Sequence, residues 1–291
     1  MKITFPHMGN IYIAGKAFFE ELGQEVVPPP RCNRRTLELG TKYSPETMCL
    51  PLKIMIGNFI ESIEKGADTI LITGSCGPCR FGYYSVLEDY ILKDLGYDVE
   101  FIVYDPIWEG WKPLKENLLK TFKVSKTRDL ISAGKLGWEL IKKADYITEL
   151  SNKKRAYAIH GSDVDYIMDK YYKSVDKTIG AKQMINLMDS VIGDLNKVKI
   201  KKNYEPIKIA IIGEIYTVIE PFVNLEIERK LGNMGVLVEK SLTPTKWVEH
   251  HVAKFPFGSK EENEKYKLAM PYLKTLVGGH GRETVGSAIY Y

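Results

Sequence analysis

Long apolar runs are missing from this chain of 291 residues: no eighteen consecutive apolar residues occur, and the opening segment MKITFPHMGNIYIAG lacks the continuous apolar core of a signal peptide. Neither a membrane span nor a secretory leader is expected, and the reading is a cytoplasmic protein with no membrane partner. Phosphate loops are missing as well. The chain contains neither Gly-x-x-x-x-Gly-Lys-Ser/Thr nor Gly-x-Gly-x-x-Gly, so it is not expected to hydrolyse ATP itself or to hold a dinucleotide in the usual way. Charge of one sign is in little excess: 41 Lys and Arg stand against 37 Asp and Glu, a formal net charge of +4. The two signs are interspersed apart from a Lys-rich stretch at 197–202, which reads as a solvated linker face, so no nucleic-acid partner is expected. Cysteine is scarce, at four residues: Cys32, Cys49, Cys76 and Cys79. In a reducing compartment these are poor candidates for structural disulfides, which turns attention to metal binding or redox chemistry.

What is present is ordinary globular material, 44% hydrophobic and 27% charged, enough for two cores. Lys2 to Phe5 reads as a strand, Ile11 to Leu22 as a helix and Glu25 to Val27 as a second strand. After the Pro28-Pro29-Pro30 break, Ser44 and Pro45 look like the cap and first turn of a helix carrying Leu52, Ile56, Phe59 and Ile63. Thr69 to Ile72 reads as a buried strand, 74–80 as a tight loop, Tyr83 to Leu95 as a helix and Val99 to Tyr104 as another strand. This alternation predicts an α/β fold with a parallel sheet. From Trp108 to about Asn203 the apolar spacings of three and four are helical throughout. The strand, helix, strand order resumes at Ile207 to Ile212, Pro221 to Leu231 and Val236 to Val238. The predicted organisation is two Rossmann-like parallel-sheet domains joined by a helical segment: a cysteine-bearing domain at 1–106, a helical connector at 107–204 and a second domain at 205–291. The last stretch, Gly286 to Tyr291, is an apolar helix-like run with no following strand, and truncation at the C-terminus is expected.

Cys76-Gly77-Pro78-Cys79 follows a buried strand and precedes a helix, which places the pair at the carboxyl edge of the sheet, where open α/β folds bind ligands. Thiolates there gain from a helix N-terminal dipole and from the charge of Arg80, and Gly77 allows backbone amides to approach sulfur. Cys49 lies near the start of a helix bordering the same edge, and Cys32 in the loop after the second strand. Three chemistries fit four such thiols: an iron–sulfur cluster, thiol-disulfide exchange through Cys76 and Cys79, and a zinc site held without catalysis. The plain alternative makes Cys32 a loop thiol and Cys49 a small buried hydrophobe. Ser75 stands where thioredoxins usually carry Trp, and zinc knuckles usually show two close-spaced pairs, whereas Cys32 and Cys49 are seventeen apart.

The segments Pro28-Pro-Pro, Thr36-Leu-Glu-Leu-Gly40, Cys49-Leu-Pro-Leu-Lys53, Gly57-Asn-Phe-Ile-Glu61 and Gly77-Pro-Cys-Arg-Phe-Gly-Tyr-Tyr84 together form a pattern. With Gly213-Glu-Ile-Tyr216, Glu220-Pro-Phe222 and 278–286, it resembles proteins related to the 2-hydroxyacyl-CoA dehydratases and their activases, the acyl-CoA dehydratase activase-related proteins. The resemblance spans nearly the whole chain and is most specific in the first domain. It implies an iron–sulfur cluster, [4Fe-4S], bound by Cys32, Cys49, Cys76 and Cys79, with zinc as the alternative occupant. It also implies an ATP-hydrolysing activase or reductase that injects low-potential electrons, and a small-molecule substrate such as a CoA thioester. Relatives of this kind, found in anaerobic metabolism, either dehydrate 2-hydroxyacyl-CoA or reduce small molecules at a double-cubane cluster, so a dehydratase-like enzyme and an electron-transfer component are both open. Two departures stand out. A double cubane uses six cysteines where this chain has four, and relatives usually continue past Tyr291, where a further ligand could lie. Cys49 and Cys79 match the most characteristic positions, followed by Cys76 and then Cys32.

Three weaker candidates complete the reading. Glu214 and Tyr216 follow the strand at Ile207 to Ile212 and could donate a proton, or they could be a helix N-terminal acid with a packed aromatic. His280, in the turn Gly278-Gly-His-Gly-Arg282, could bind an anion or protonate a substrate, although turn flexibility explains its glycines equally well.

Overall fold

A computed structural model describes residues 1–74, 79–104, 110–123, 126–250, 258–275, 277–278 and 280–291. Its contacts gather into two units, Met1–Trp138 and Glu139–Tyr291.

The first unit holds β1 (Lys2–Thr4), α1 (Ile11–Glu21), β2 (Glu25–Val26), α2 (Arg34–Tyr43), α3 (Leu50–Glu64), β3 (Thr69–Thr73), α4 (Tyr84–Asp94), β4 (Glu100–Tyr104) and α5 (Trp111–Thr121). Four strands form one parallel sheet in the order β2-β1-β3-β4. The apolar run Thr69 to Ile72 takes an inner position and is buried on both faces, as a parallel strand under helices must be. The parallel-sheet α/β class predicted from the alternation is what the structure has. Because every strand runs the same way, the chain leaves β1, β2 and β3 at one edge, toward His7, Cys32 and Cys79 respectively.

Two helices set the cysteine geometry. α3 is buried at ten of its fifteen positions, including Leu52, Ile56 and Phe59, because α2 covers the side that faces away from the sheet. That packing uses small residues at contact distance: a Cβ on Gly57 would lie 1.9 Å from the Thr36 carbonyl oxygen, and one on Gly40 would lie 1.6 Å from that of Lys53. A capping box starts α2, in which the Asn33 side chain accepts the Arg35 and Thr36 N–H groups while Thr36 Oγ1 accepts the Asn33 N–H. Ser44, expected to open the next helix, instead closes α2. α3 begins five residues later, with Cys49 as N-cap and Pro51 in the first turn.

The division between the units falls inside the long helix α6 (Thr127–Tyr157). The second unit continues with α7 (Gly161–Val175) and α8 (Ala181–Lys197), which bury Val164, Met168, Met184 and Met188 at helical spacing. Next come β5 (Lys208–Ile211), α9 (Ile215–Ile219), α10 (Ile227–Asn233) and β6 (Leu237–Lys240), with β5 and β6 pairing in parallel. α11 (Pro244–Val248), α12 (Lys260–Ala269) and α13 (Gly281–Tyr290) complete it. No helix among the described residues is long and apolar enough to cross a membrane.

Candidate functional site

Cys49 and Cys79 each stand at a helical start. Cys49 is the N-cap of α3, where the first backbone N–H groups have no partner within the helix. Cys79 holds the same position ahead of a single 3-10 turn, Arg80–Tyr83, that runs into α4. Both are free thiols, Cys49 half-buried and Cys79 exposed. The expected charge partner Arg80 is exposed, and it donates to the Thr47 carbonyl at 2.9 Å. That bond ties the residues after Cys79 to the segment before Cys49.

The group against Cys49 is Tyr84. Its phenol is buried and lies 2.6 Å from Cys49 Sγ. Burial is the main cause that pushes Tyr84 far above the usual phenol range; the bond to Cys49 and the charges of Cys49, Cys79 and Glu88 add to it. The phenol therefore keeps its proton, and toward a thiolate it can only donate. One turn further along α4, Glu88 is fully buried, and neither carboxylate oxygen has a hydrogen-bond partner among the described residues. Burial alone pushes its carboxyl up to about 8, so at neutral pH it is an uncharged acid.

Cys32 is placed elsewhere. Its thiol donates to Asn58 Oδ1 at 3.4 Å and lies 3.6 Å from His7 Nδ1; Asn58 in turn donates to the Pro30 carbonyl at 3.0 Å. His7 is buried and stacks on Tyr12 with ring centroids 4.8 Å apart. Asn58 sits nine residues beyond Cys49, about 13 Å of helical rise. Two thiolates on one zinc ion lie under about 5 Å apart, and Cys32, held at the level of Asn58, does not meet Cys49 at one ion in this arrangement. Cys76 and Gly77 lie outside the described residues.

Among the second unit's candidates, Glu214 is the N-cap of α9, accepting the Thr217 N–H at 3.1 Å, and Tyr216 is buried. That is the helix-terminal acid with a packed aromatic. His280 caps α13 in a left-handed conformation at φ 62°, and its carbonyl accepts from the Thr284 N–H and hydroxyl.

Tyr84, Glu88 and His7 were not singled out by sequence. The signal for Glu88 was its register. Tyr84, Glu88 and Leu92 recur every four residues on the buried face of α4, so an acid occupies a core position.

Fold and site together describe an α/β protein whose parallel sheet presents thiols at its carboxyl edge. Residues 7–73 match the family described as the CoA enzyme activase uncharacterised domain. The match runs from His7 to the end of β3, taking in Cys32 and Cys49 and stopping short of Cys79, and this part of the chain is similar to an activase-related family. No curated protein matches the chain.

Proposed function

We propose that the chain is an iron–sulfur protein of low-potential reductive chemistry, receiving electrons from an ATP-hydrolysing activase and acting on an acyl-CoA or another small substrate. The observation that carries this reading is the Arg80 bond to the Thr47 carbonyl, which ties the Cys79 segment to the Cys49 segment, with Cys49 against the buried phenol of Tyr84. Two thiols from segments joined by that bond each stand at a helical start, where free N–H groups and the dipole favour thiolate charge. The donor set suits a cluster: Cys49 and Cys79 are the first two ligands, and Cys76, three residues before Cys79, is the third. A cluster bound there would supply a one-electron store of low potential. The protein's own part is to hold the sulfurs, to donate from Tyr84 to Cys49 and to exclude water on the α4 side. The likeness of residues 7–73 to a CoA enzyme activase domain supports the link to acyl-CoA chemistry, and the absence of a phosphate loop from the sequence assigns ATP hydrolysis to a partner.

Thiol exchange has one observation in its favour, the exposure of Cys79 at the start of its turn. Anaerobic reconstitution with iron and sulfide separates the readings. The cluster reading expects a brown protein with a spin-resonance signal after reduction, lost in Cys49→Ser and in Cys79→Ser and kept in Cys32→Ser. A colourless product overturns it, as does stoichiometric zinc without iron.

A further inference from the structure

Cys32, which the cluster reading leaves aside, has a partner set of its own. The parallel strands β1 and β2 lead to the same edge of the sheet, one toward His7 and the other toward Cys32. There Cys32 Sγ lies 3.6 Å from His7 Nδ1 and 3.4 Å from Asn58 Oδ1. Both partners are buried and held in place, His7 by stacking on Tyr12 and Asn58 by donating to the Pro30 carbonyl. Cys32 itself is only half-buried, so a molecule from solution can reach the residue while its neighbours stay dry. A cysteine that merely fills space needs neither contact. A thiol within reach of a ring nitrogen that a third group orients is the arrangement of an activated nucleophile. At rest the thiol donates to Asn58 Oδ1, and His7 Nδ1, in the neutral ring with its proton on Nε2, is a base able to take that proton as the sulfur attacks. The surroundings are basic. Arg31, Arg34 and Arg35 lie within three residues of Cys32 and are exposed. Arg34 and Arg35 pair with Glu38 and Glu64, but such surface pairs are worth little in water, and a guanidinium can exchange one for a phosphate.

We propose that Cys32 is a nucleophile, with His7 as its base, that accepts the acyl group of a CoA thioester. The substrate class rests on the acyl-CoA reading above, whereas the nucleophile rests on the geometry alone. Sγ bonds to the acyl carbon as its proton passes to His7 Nδ1. The bond from that carbon to the CoA sulfur then breaks, the electron pair leaves with the sulfur, and the proton passes from Nδ1 to the CoA thiolate. One thioester is exchanged for another, so no oxidant or reductant is consumed.

The test has two arms, both run anaerobically at pH 7 on the full chain. Iodoacetamide is applied to the folded protein and to the protein unfolded in urea, and alkylation of Cys32 is followed by peptide mass spectrometry. A thiol that is only packed reacts more slowly when folded. The expected result is a folded rate at least about tenfold above the unfolded one, an advantage lost in His7→Phe, which keeps a ring against Tyr12 and removes Nδ1. The wild-type comparison needs no variant, so it decides the matter even if His7→Phe does not fold. In the second arm acetyl-CoA alone is the acyl probe. An acetyl group should appear on Cys32 with one CoA thiol released for each, and neither should appear in Cys32→Ser. Two results overturn the proposal and are told apart: a folded alkylation rate at or below the unfolded one shows that Cys32 is no nucleophile, and fast alkylation without acetyl transfer shows that the acyl-CoA reading of its substrate fails.

Discussion

Replacing Glu88 by Gln should stabilise this protein, and by an amount that depends on pH. The side chains are nearly isosteric, so the difference isolates the ionisation. Folding raises the carboxyl from 4.5 to about 8, and a group raised on folding contributes stability that is complete below its unfolded value and is lost as pH climbs through its folded one. At roughly 1.4 kcal/mol per pH unit, the wild type forfeits about 1 kcal/mol by pH 5, about 3 by pH 7 and about 5 by pH 9 relative to acid conditions. Glu88→Gln forfeits none of this, because its amide does not titrate. Urea denaturation of both proteins at pH 5, 7 and 9, followed by helical circular dichroism, therefore has a definite expected form: the stability gap in favour of Gln widens by about 2 kcal/mol between pH 5 and 7 and widens further by pH 9. Other titrations cancel in the difference. A gap that stays flat across the range, or that narrows as pH rises, would refute the reasoning by showing that Glu88 is ionised or solvated in the native state.

Gly57→Ala should cost more than about 3 kcal/mol and unfold the first unit preferentially, because its Cβ would sit 1.9 Å from a backbone oxygen of α2 that cannot withdraw without parting the helix pair; limited proteolysis would show early cleavage within 1–138. Tyr84→Phe removes the phenol's one hydrogen bond among the described residues, that to Cys49, and should cost about 1 kcal/mol in urea denaturation, with the helical content unchanged. In the second unit, Lys265 is buried and bonds Glu261, Glu262 and the Ser241 carbonyl. Lys265→Met leaves the buried Glu262 without its cation and should lower stability by about 3 kcal/mol, read as a lower thermal midpoint; a variant as stable as the wild type would show that Glu262 finds another partner.

The sheet was legible because buried parallel strands leave a strong trace. Thr69 to Ile72 and Val99 to Tyr104 fall within a residue of the observed β3 and β4, and helix α1 matches to its last residue but one. α2 leaves no such trace, and the reason is physical. Its buried residues are Thr36 and Gly40, so it packs by backbone proximity and carries no apolar stripe; the hydrophobic period that reveals other helices is absent. Its capping box, Asn33 with Thr36, was the available signal. Without α2, the apolar pattern places the start of α3 at Ser44, a residue that belongs to the end of the helix before. In the second unit, the run Pro221 to Leu231 was read as one helix, whereas the chain is helical at Ile215–Ile219 and again at Ile227–Asn233. Between them Leu225 and Glu226 take left-handed conformations, which side-chain pattern alone does not announce.

The site was legible only as far as cysteine identity and strand direction carry. Parallel strands put the loops after β2 and β3 at one edge, and from that all four thiols were expected to converge. Depth along α3 separates the levels of Cys32 and Cys49. α2 runs toward the edge alongside α3, Thr36 against Gly57 and Gly40 against Lys53, so the residue before its cap, Cys32, lies level with Asn58, while Cys49 stands at the start of α3, where the Arg80 bond to the Thr47 carbonyl brings the Cys79 segment. A parallel-sheet edge fixes which side of the sheet a loop visits and leaves its height free, and height is set by helix length. Tyr84 and Glu88 carry no such trace: both lie on the buried face of α4, and a tyrosine and a glutamate four residues apart are, in sequence, an ordinary pair on a helix. Only burial with no partner for the carboxylate separates Glu88 from the surface acids around it, and that is a property of packing.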